Sequence, residues 1–309
     1  MSKKILIFGY SGFVGPYLAK EFEKDGYVVY GCDVANPTFG SAYNFAKCDI
    51  LNYEEVDTLI KSILPDVIVN LAAISSVGQS WKIPQATISI NIVGSLNILE
   101  SIKQLETKPK VLFVGSSEEY EASDKPINEG YPLNSNNPYG ISKYVQERFA
   151  ESYRKEFGLK IYCVRSFNHI GVGQKGSFVI PSLCKQVATI EKSKKPGFIS
   201  VGNISVYRDF SDVRDIVKAY KMILDSKNDE IIYNVGSGKA YKIEELLKFI
   251  ISLSSQKIDV IVDKGKFRQE DTPFVCCDNT RLKKMLNWKP VYDIKETIKD
   301  IYLYFLREE

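Results

Sequence analysis

A chain of 309 residues with 44% hydrophobic and 26% charged side chains is large enough for one substantial domain or two intimate ones, and is too apolar to remain disordered. Its formal net charge of +3 is dispersed along the chain, which excludes a nucleic-acid partner and suits a small anionic ligand. The apolar run after Met1-Ser2-Lys3-Lys4 is too short for a signal peptide and no segment approaches the ~20 apolar residues of a membrane span. Six scattered cysteines and the single His169 leave no metal-ligand spacing and no histidine-based triad, so no metal is expected and a reduced, cytoplasmic location is.

The predicted elements alternate from the start. Strands are expected at 4–8, 27–32, 67–71, 111–114 and 160–164, and helices at 16–25, 53–63, 84–105 and 139–157. The strands are continuously apolar rather than alternating, as in a parallel sheet buried on both faces. Right-handed crossovers then make the fold an α/β, doubly wound parallel sheet. After about Gly171 the rhythm loosens into a helix at 178–191, a strand near 198–201, a helix at 212–225 and a strand at 231–235. The tail reads as a helix at 243–253, a strand at 258–262 and helices at 280–286 and 294–306. This organisation predicts a Rossmann-type domain over 1–172, rejoined by about 208–235, with a smaller, discontinuous α/β lobe at 173–207 and 236–309 for substrate.

The first strand runs straight into Gly9-Tyr10-Ser11-Gly12-Phe13-Val14-Gly15 and then a helix. In such a strand-turn-helix the first glycine makes the turn, the second admits a pyrophosphate against the backbone, and the third lets helix pack on strand. The diphosphate then sits on the free N–H groups of the helix terminus. Asp33 ends the second strand eighteen residues after Gly15, where its carboxylate can accept from ribose hydroxyls and repel the extra phosphate of NADP. NAD(H) is therefore the expected cofactor.

Ser116 lies at the end of the fifth strand, where sheets of this kind place their ligands. Asn136 and Asn137 are N-cap candidates and Pro138 suits the first turn of the following helix. Tyr139 and Lys143 stand four residues apart there, on one helix face, so the ammonium can approach the phenol. A tyrosine of ordinary pKa about 10 is a poor base at neutral pH, and a nearby cation favours its phenolate. Ser116, Tyr139 and Lys143 form the expected catalytic set: the serine holds the alcohol or ketone oxygen, the tyrosine moves the proton, and the nicotinamide takes or gives hydride.

On these residues the chain resembles the extended short-chain dehydrogenase/reductase family that acts on nucleotide sugars. Gly9-x-x-Gly12-x-x-Gly15, Asp33, Leu71-Ala72-Ala73, Ser116 and Tyr139-x-x-x-Lys143 follow the family's order over essentially the whole length. Three further segments resemble the branch of GDP-4-keto-6-deoxy-mannose reductases, with GDP-mannose 4,6-dehydratases as close relatives. They are Gly115-Ser116-Ser117-Glu118-Glu119-Tyr120, Phe167-Asn168-His169-Ile170-Gly171 and Arg208-Asp209-Phe210-Ser211-Asp212-Val213-Arg214-Asp215. The resemblance implies cofactor contacts at Gly9, Gly12, Phe13, Val14, Gly15, Asp33, Asp49, Ile50, Leu71, Ala72, Ala73, Tyr139 and Lys143. It implies a GDP-linked sugar meeting Asn168 and the arginines Arg208 and Arg268, whose guanidinium groups suit a diphosphate, with weaker contacts at Ser75, Val179, Lys185 and Asn203. Glu118 stands where the dehydratases carry an acid/base, and His169 serves equally as scaffold or substrate contact. A homodimer or higher homo-oligomer through the helices at 84–105 and 139–157 is also implied.

Asp33 departs from the NADPH preference of the reductase branch, and Val172 stands where that branch commonly has proline. The sequence therefore reads as an NAD-dependent enzyme transferring hydride at C4 of a GDP-linked manno-configured hexose or heptose, serving capsule, O-antigen or deoxysugar synthesis. A 4,6-dehydratase and a 4-epimerase are the alternatives, and a non-catalytic nucleotide-binding protein would have no use for the Ser116, Tyr139 and Lys143 set.

Overall fold

The computed structural model describes residues 2–37, 44–228, 230–267 and 272–308. Through the first half the order is β1 (Lys4–Phe8), α1 (Gly15–Glu23), β2 (Val28–Asp33), β3 (Phe45–Lys47), α2 (Tyr53–Ile63), β4 (Val67–Asn70), α3 (Val77–Lys82), α4 (Pro84–Ile88), α5 (Gly94–Lys103), β5 (Lys110–Ser116), α6 (Pro138–Phe157) and β6 (Lys160–Ser166). Then come β7 (Asn168–Ile170), α7 (Val179–Ser193), β8 (Gly197–Val201), β9 (Tyr207–Asp212), α8 (Val213–Asp225), β10 (Ile232–Val235), β11 (Ala240–Lys242), α9 (Ile243–Ile251), β12 (Ile258–Val262), β13 (Phe274–Val275), α10 (Thr280–Leu286) and α11 (Ile294–Arg307).

Seven strands form a parallel sheet in the order β10-β6-β5-β4-β1-β2-β3, which is the doubly wound, Rossmann-type fold read from the sequence. The central β1 shows why its sequence is uniformly apolar: Ile5 and Ile7 face one core while Leu6 and Phe8 face the other, and none has more than 1% of its surface exposed. Each such side chain contributes about 1.5–3 kcal/mol by leaving water. The first face packs Leu18 and Phe22 of α1 against Ile216, Tyr220 and Ile223 of α8. The second packs Val56 and Ile60 of α2 against Ile98, Leu99 and Ile102 of α5. A separate core joins α7, α9 and α11 through Ile180, Leu183, Leu246, Ile250, Ile298 and Ile301, beside the pairings of β9 with β11, β13 and β7 and of β8 with β12. Because β9 runs directly into α8, that second core is tied covalently to the large sheet.

Local signals account for the helix boundaries. The Asn52 side chain caps α2 by accepting from the N–H groups of Glu54 and Glu55. Asn137 accepts from the Gly140 N–H at 2.9 Å, Pro138 occupies the first turn of α6, and Gly158 ends it in the left-handed region. The helix expected over 84–105 is interrupted: Ser89–Val93 widen into a π-turn between α4 and α5. There the buried Asn91 carboxamide bonds both the N–H and the C=O of Ile74 and donates to Ser142 Oγ, which holds the 71–76 loop against α6. The short α3, β7, β11 and β13 have too few residues for a period and were not among the expected elements.

Candidate active site

The carboxyl ends of β1, β2, β4 and β5 bring Gly9, Asp33, Leu71 and Ser116 to one edge of the sheet. Gly9 has φ +76, and a Cβ there would lie 2.5 Å from Ala72 N, so the turn and the close passage of the Leu71-Ala72 segment both require glycine. Gly12 has only Gly9 O nearby, at 3.2 Å, leaving its outer side open. At Gly15 the obstacle differs from the expected helix–strand contact: a Cβ would fall 2.1 Å from Tyr10 O, so this glycine closes the loop on itself. Val14 caps α1 without any side-chain hydrogen bond, so its terminus keeps backbone donors for an anion. Phe13 stacks on His169 with ring centroids 6.1 Å apart.

Asp33 turns its carboxylate toward this loop, accepting Ser11 N at 3.1 Å and Val34 N at 2.8 Å. Asp49 accepts from Leu51 N, and Ile50 is buried against Gly94 with its carbonyl taken by Asn97. Ala72 N is held by Asn70 Oδ1 at 3.0 Å, while Leu71, Ala72 and Ala73 stay half-buried beside Gly9. An open glycine, an uncapped helix terminus and an acid at the second strand end together fit a nicotinamide dinucleotide.

Ser116 ends β5 and caps the tight turn Ser117–Glu119, its Oγ accepting Glu118 N at 3.1 Å. The Ser116 side chain lies near enough to the Tyr139 phenol to favour its ionised form, bringing two residues 23 positions apart together. Gly140 makes this approach possible, because a Cβ on it would lie 2.1 Å from both Glu118 O and Ser135 Oγ. Glu118 Oε2 accepts from the Asn137 carboxamide at 3.1 Å, beside the same helix start.

The expected effect of Lys143 on Tyr139 is corrected by the geometry. Lys143 is 2% exposed, and its ammonium donates to Val114 O at 2.7 Å and Gln146 Oε1 at 3.2 Å, anchoring it to the strand rather than to the phenol. Burial pushes the Tyr139 phenol well above its ordinary value, the Ser116 hydrogen bond opposes this, and the charges of Glu119 and Glu118 add to it. Burial also brings Lys143 down to about 8, against the upward pull of Glu119. The spacing rule places both side chains on one face of the helix; the direction of a four-carbon stem is set by the acceptors it finds.

The residues expected at the sugar nucleotide are more dispersed. Asn168 is exposed on β7 and donates to Asp209 O at 3.3 Å. Arg208 on β9 reaches Thr272 O at 2.7 Å, and Asn203 accepts from Ser205 N and Oγ in the loop before it. Ser75 is exposed after β4. Val179 opens α7 with its side chain exposed, and Lys185 lies over the Phe305 ring at 5.9 Å, a contact within the second core. Arg268 lies outside the described residues. His169 stacks on Phe13 and sets Nδ1 3.1 Å from Phe167 O, and burial lowers its pKa.

The sequence profile described as GDP-mannose 4,6 dehydratase matches residues 6–301. This chain belongs to that family. A GDP-6-deoxy-D-mannose reductase of Pseudomonas aeruginosa is 30% identical over 97% of this chain and 96% of its own length. Among solved structures, RMD from Pseudomonas aeruginosa complexed with NADPH superposes with a TM-score of 0.86 at 28% identity, covering 99% of both chains. A Thermotoga maritima UDP-glucose 4-epimerase with UDP-glucose gives 0.87 at 25% identity, covering 98% of each. The relatives of this chain thus carry the names of reductases, dehydratases and epimerases, and a shared fold does not fix which chemistry is performed.

Two residues that sequence reasoning passed over complete the site. Glu119, quoted from the sequence only as part of the Gly115 to Tyr120 segment and given no role there, is fully buried against the Ser116 backbone. Gly140 was legible in hindsight, since a glycine inside the first turn of a helix costs about 0.5–1 kcal/mol and needs a packing reason. Among the described residues no cluster of three or more metal-ligating side chains is found, and no helix is long and apolar enough to cross a membrane.

Proposed function

We propose that this protein transfers hydride at C4 of a GDP-linked, manno-configured hexose or heptose, interconverting the secondary alcohol and the 4-ketone with NAD(H). The observation that carries this reading is the Ser116 side chain beside the Tyr139 phenol, one helical turn from Lys143, at the sheet edge that also holds the Gly9 to Gly15 loop. A nicotinamide dinucleotide bound on that loop would accept or supply the hydride. Ser116 orients the C4 oxygen, Tyr139 takes its proton in oxidation or returns one in reduction, and Lys143, held on Val114 O, carries its ammonium one helical turn along the same helix. The 30% identical GDP-6-deoxy-D-mannose reductase supports the GDP-sugar class, and Asn168, Arg208 and Arg268 are the residues assigned to it.

Asp33 carries the preference for NAD over NADP, because a 2′-phosphate would meet a carboxylate already fixed by Ser11 N and Val34 N. We assign cofactor to 1–172 with 208–235 and the sugar nucleotide to 173–207 with 236–309. Exposed Ile88, Val93, Ile141, Tyr144 and Phe149 on α4, the π-turn and α6 support a homo-oligomer through those helices, and the six free, buried cysteines suit the cytoplasm. Light scattering of the purified protein distinguishes a dimer or larger assembly from a monomer. Incubation with GDP-sugars, followed by nicotinamide absorbance and product mass, tests the reaction. A change of two hydrogens supports it, and absence of turnover with every GDP-sugar refutes it.

A second reading, the 4,6-dehydratase, would use Glu118 as its acid/base, a residue that does not discriminate because the reductase branch carries a glutamate there too; its carboxylate accepts from the Asn137 carboxamide at the start of α6. Loss of one water from the sugar nucleotide would select it. A product of unchanged mass would select a 4-epimerase.

A further inference from the structure

A chain of buried hydrogen bonds joins the segment after β4 to α6. Asn70 is 0% exposed, Ser95 1% and Gln146 2%. Ala72 N donates to Asn70 Oδ1 at 3.0 Å, so the other end of that carboxamide is a donor, and it meets Ser95 Oγ at 3.1 Å. Ser95 gives its one proton to Asn91 O at 2.8 Å, a carbonyl that can only accept. Its oxygen is therefore an acceptor for Gln146 Nε2, 2.5 Å away, and the carboxamide oxygen of Gln146 must turn the other way. There it stands 3.2 Å from Lys143 Nζ and accepts from it.

The backbone N–H of Ala72 and the carbonyl of Asn91 cannot exchange roles, so the orientation of Gln146 is imposed from the far end of the chain rather than by Lys143. An ammonium carries three N–H groups. Lys143 is 2% exposed and commits one to Val114 O at 2.7 Å and one to Gln146, which leaves a single N–H. One bond would let a four-carbon side chain turn about its acceptor; two fix the direction of the third N–H. A buried carboxamide is unfavourable unless both its ends are paired, a condition that an aliphatic side chain in the same place would not impose.

Resting on the hydride-transfer reading above, we propose that Gln146 is a positioning residue of the active site: oriented through Ser95 and Asn70, it holds the Lys143 ammonium so that one N–H, and only one, is left for the reaction. The chain begins at Ala72, whose nitrogen lies where a Cβ on Gly9 would come within 2.5 Å. One network therefore sets both the segment packed on the glycine loop and the direction of the lysine.

Gln146→Met keeps the bulk of the side chain and removes both polar ends, whereas Gln146→Glu keeps an oxygen for Lys143 to donate to. In protein labelled with ¹⁵N at the lysine side-chain nitrogens, with Lys143→Arg assigning the resonance, the Lys143 titration is expected about one pH unit lower in Gln146→Met, because the ammonium has lost an acceptor. In Gln146→Glu it should stay at or above the wild-type value. The titratable and charged groups facing Lys143 are Glu119 after β5 and Cys163 on β6, with Glu147 and Arg165 behind them. All are common to the three proteins, so position 146 accounts for any difference. With a GDP-sugar, kcat should fall about tenfold in Gln146→Met, with KM for the sugar within about twofold, as for a group that does not touch substrate. In Gln146→Glu kcat should recover to within about threefold of wild type, since the bond to Lys143 is restored. A Lys143 titration unmoved in Gln146→Met, or moved equally in both variants, overturns the proposal, as does an equal loss of kcat in the two. The titration needs neither cofactor nor sugar, so it decides the role of Gln146 even if no GDP-sugar turns over, the outcome that would instead refute the functional reading.

Discussion

Gly140→Ala places a methyl group where the start of α6 meets the turn after β5. The new Cβ would lie 2.1 Å from Glu118 O and from Ser135 Oγ, so the helix must withdraw by about 1.3 Å to reach the 3.4 Å of ordinary contact. Ser135 Oγ can rotate away; Glu118 O is backbone, pinned by the capping of Ser117–Glu119 through Ser116. The displacement falls on the contact between Tyr139 and Ser116, and a misplacement of about 1 Å at reacting groups costs about 10²-fold in rate. Overpacking of about 1–3 kcal/mol is partly offset by the 0.5–1 kcal/mol that alanine contributes over glycine in a helix. The net loss should lower the thermal midpoint by only a few degrees, at roughly 2–4 °C per kcal/mol. Steady-state kinetics with a GDP-sugar, a thermal melt and a cofactor titration make the test. The expected result is kcat reduced about 10²-fold with NADH affinity changed far less, since the glycine loop between β1 and α1 is not among the atoms the new methyl meets. A kcat within twofold of wild type would refute the placement of α6 against that turn as the device that aligns Tyr139.

Tyr139→Phe should reduce turnover by about 10²–10⁴-fold while leaving cofactor affinity nearly intact, as checked by kinetics and fluorescence titration. Asp33→Asn removes a negative charge beside the expected 2′ position, and the ratio of NADPH to NADH dissociation constants should fall by about tenfold. The pH dependence of stability follows from Glu119, raised from 4.5 to about 8 by burial. Its folded form holds a proton that the unfolded chain releases, so its contribution is complete below about 4.5 and is lost as pH rises toward about 8. Thermal melts should therefore fall in midpoint across that interval, and the fall should be smaller in Glu119→Gln. Equal slopes in the two proteins would contradict the buried, protonated carboxyl.

Much of the large sheet was legible because its cause is local. A strand such as Ile5 to Phe8, buried on both faces, must be apolar at every position, and helices such as α2 and α6 announce themselves through Asn52, Asn137 and Pro138. The Gly9, Gly12 and Gly15 spacing was equally readable, although the obstacle at Gly15 proved to be the carbonyl of Tyr10 rather than a strand. The π-turn at Ser89–Val93 was hidden, since its cause is a tertiary bond network from Asn91 to Ile74 and Ser142.

The catalytic residues divide along the same line. Linear order alone determined that Tyr139 and Lys143 share a helix face and that Ser116 ends a strand, because helical period and strand burial depend on near neighbours. Tertiary structure decided that Lys143 anchors on Val114, that Ser116 meets Tyr139 across 23 residues, and that Glu119 is buried. Those outcomes depend on which acceptors lie within reach and on which Cβ positions are empty, Gly115 and Gly140 above all, and such distances exist only once the strands and helices have packed.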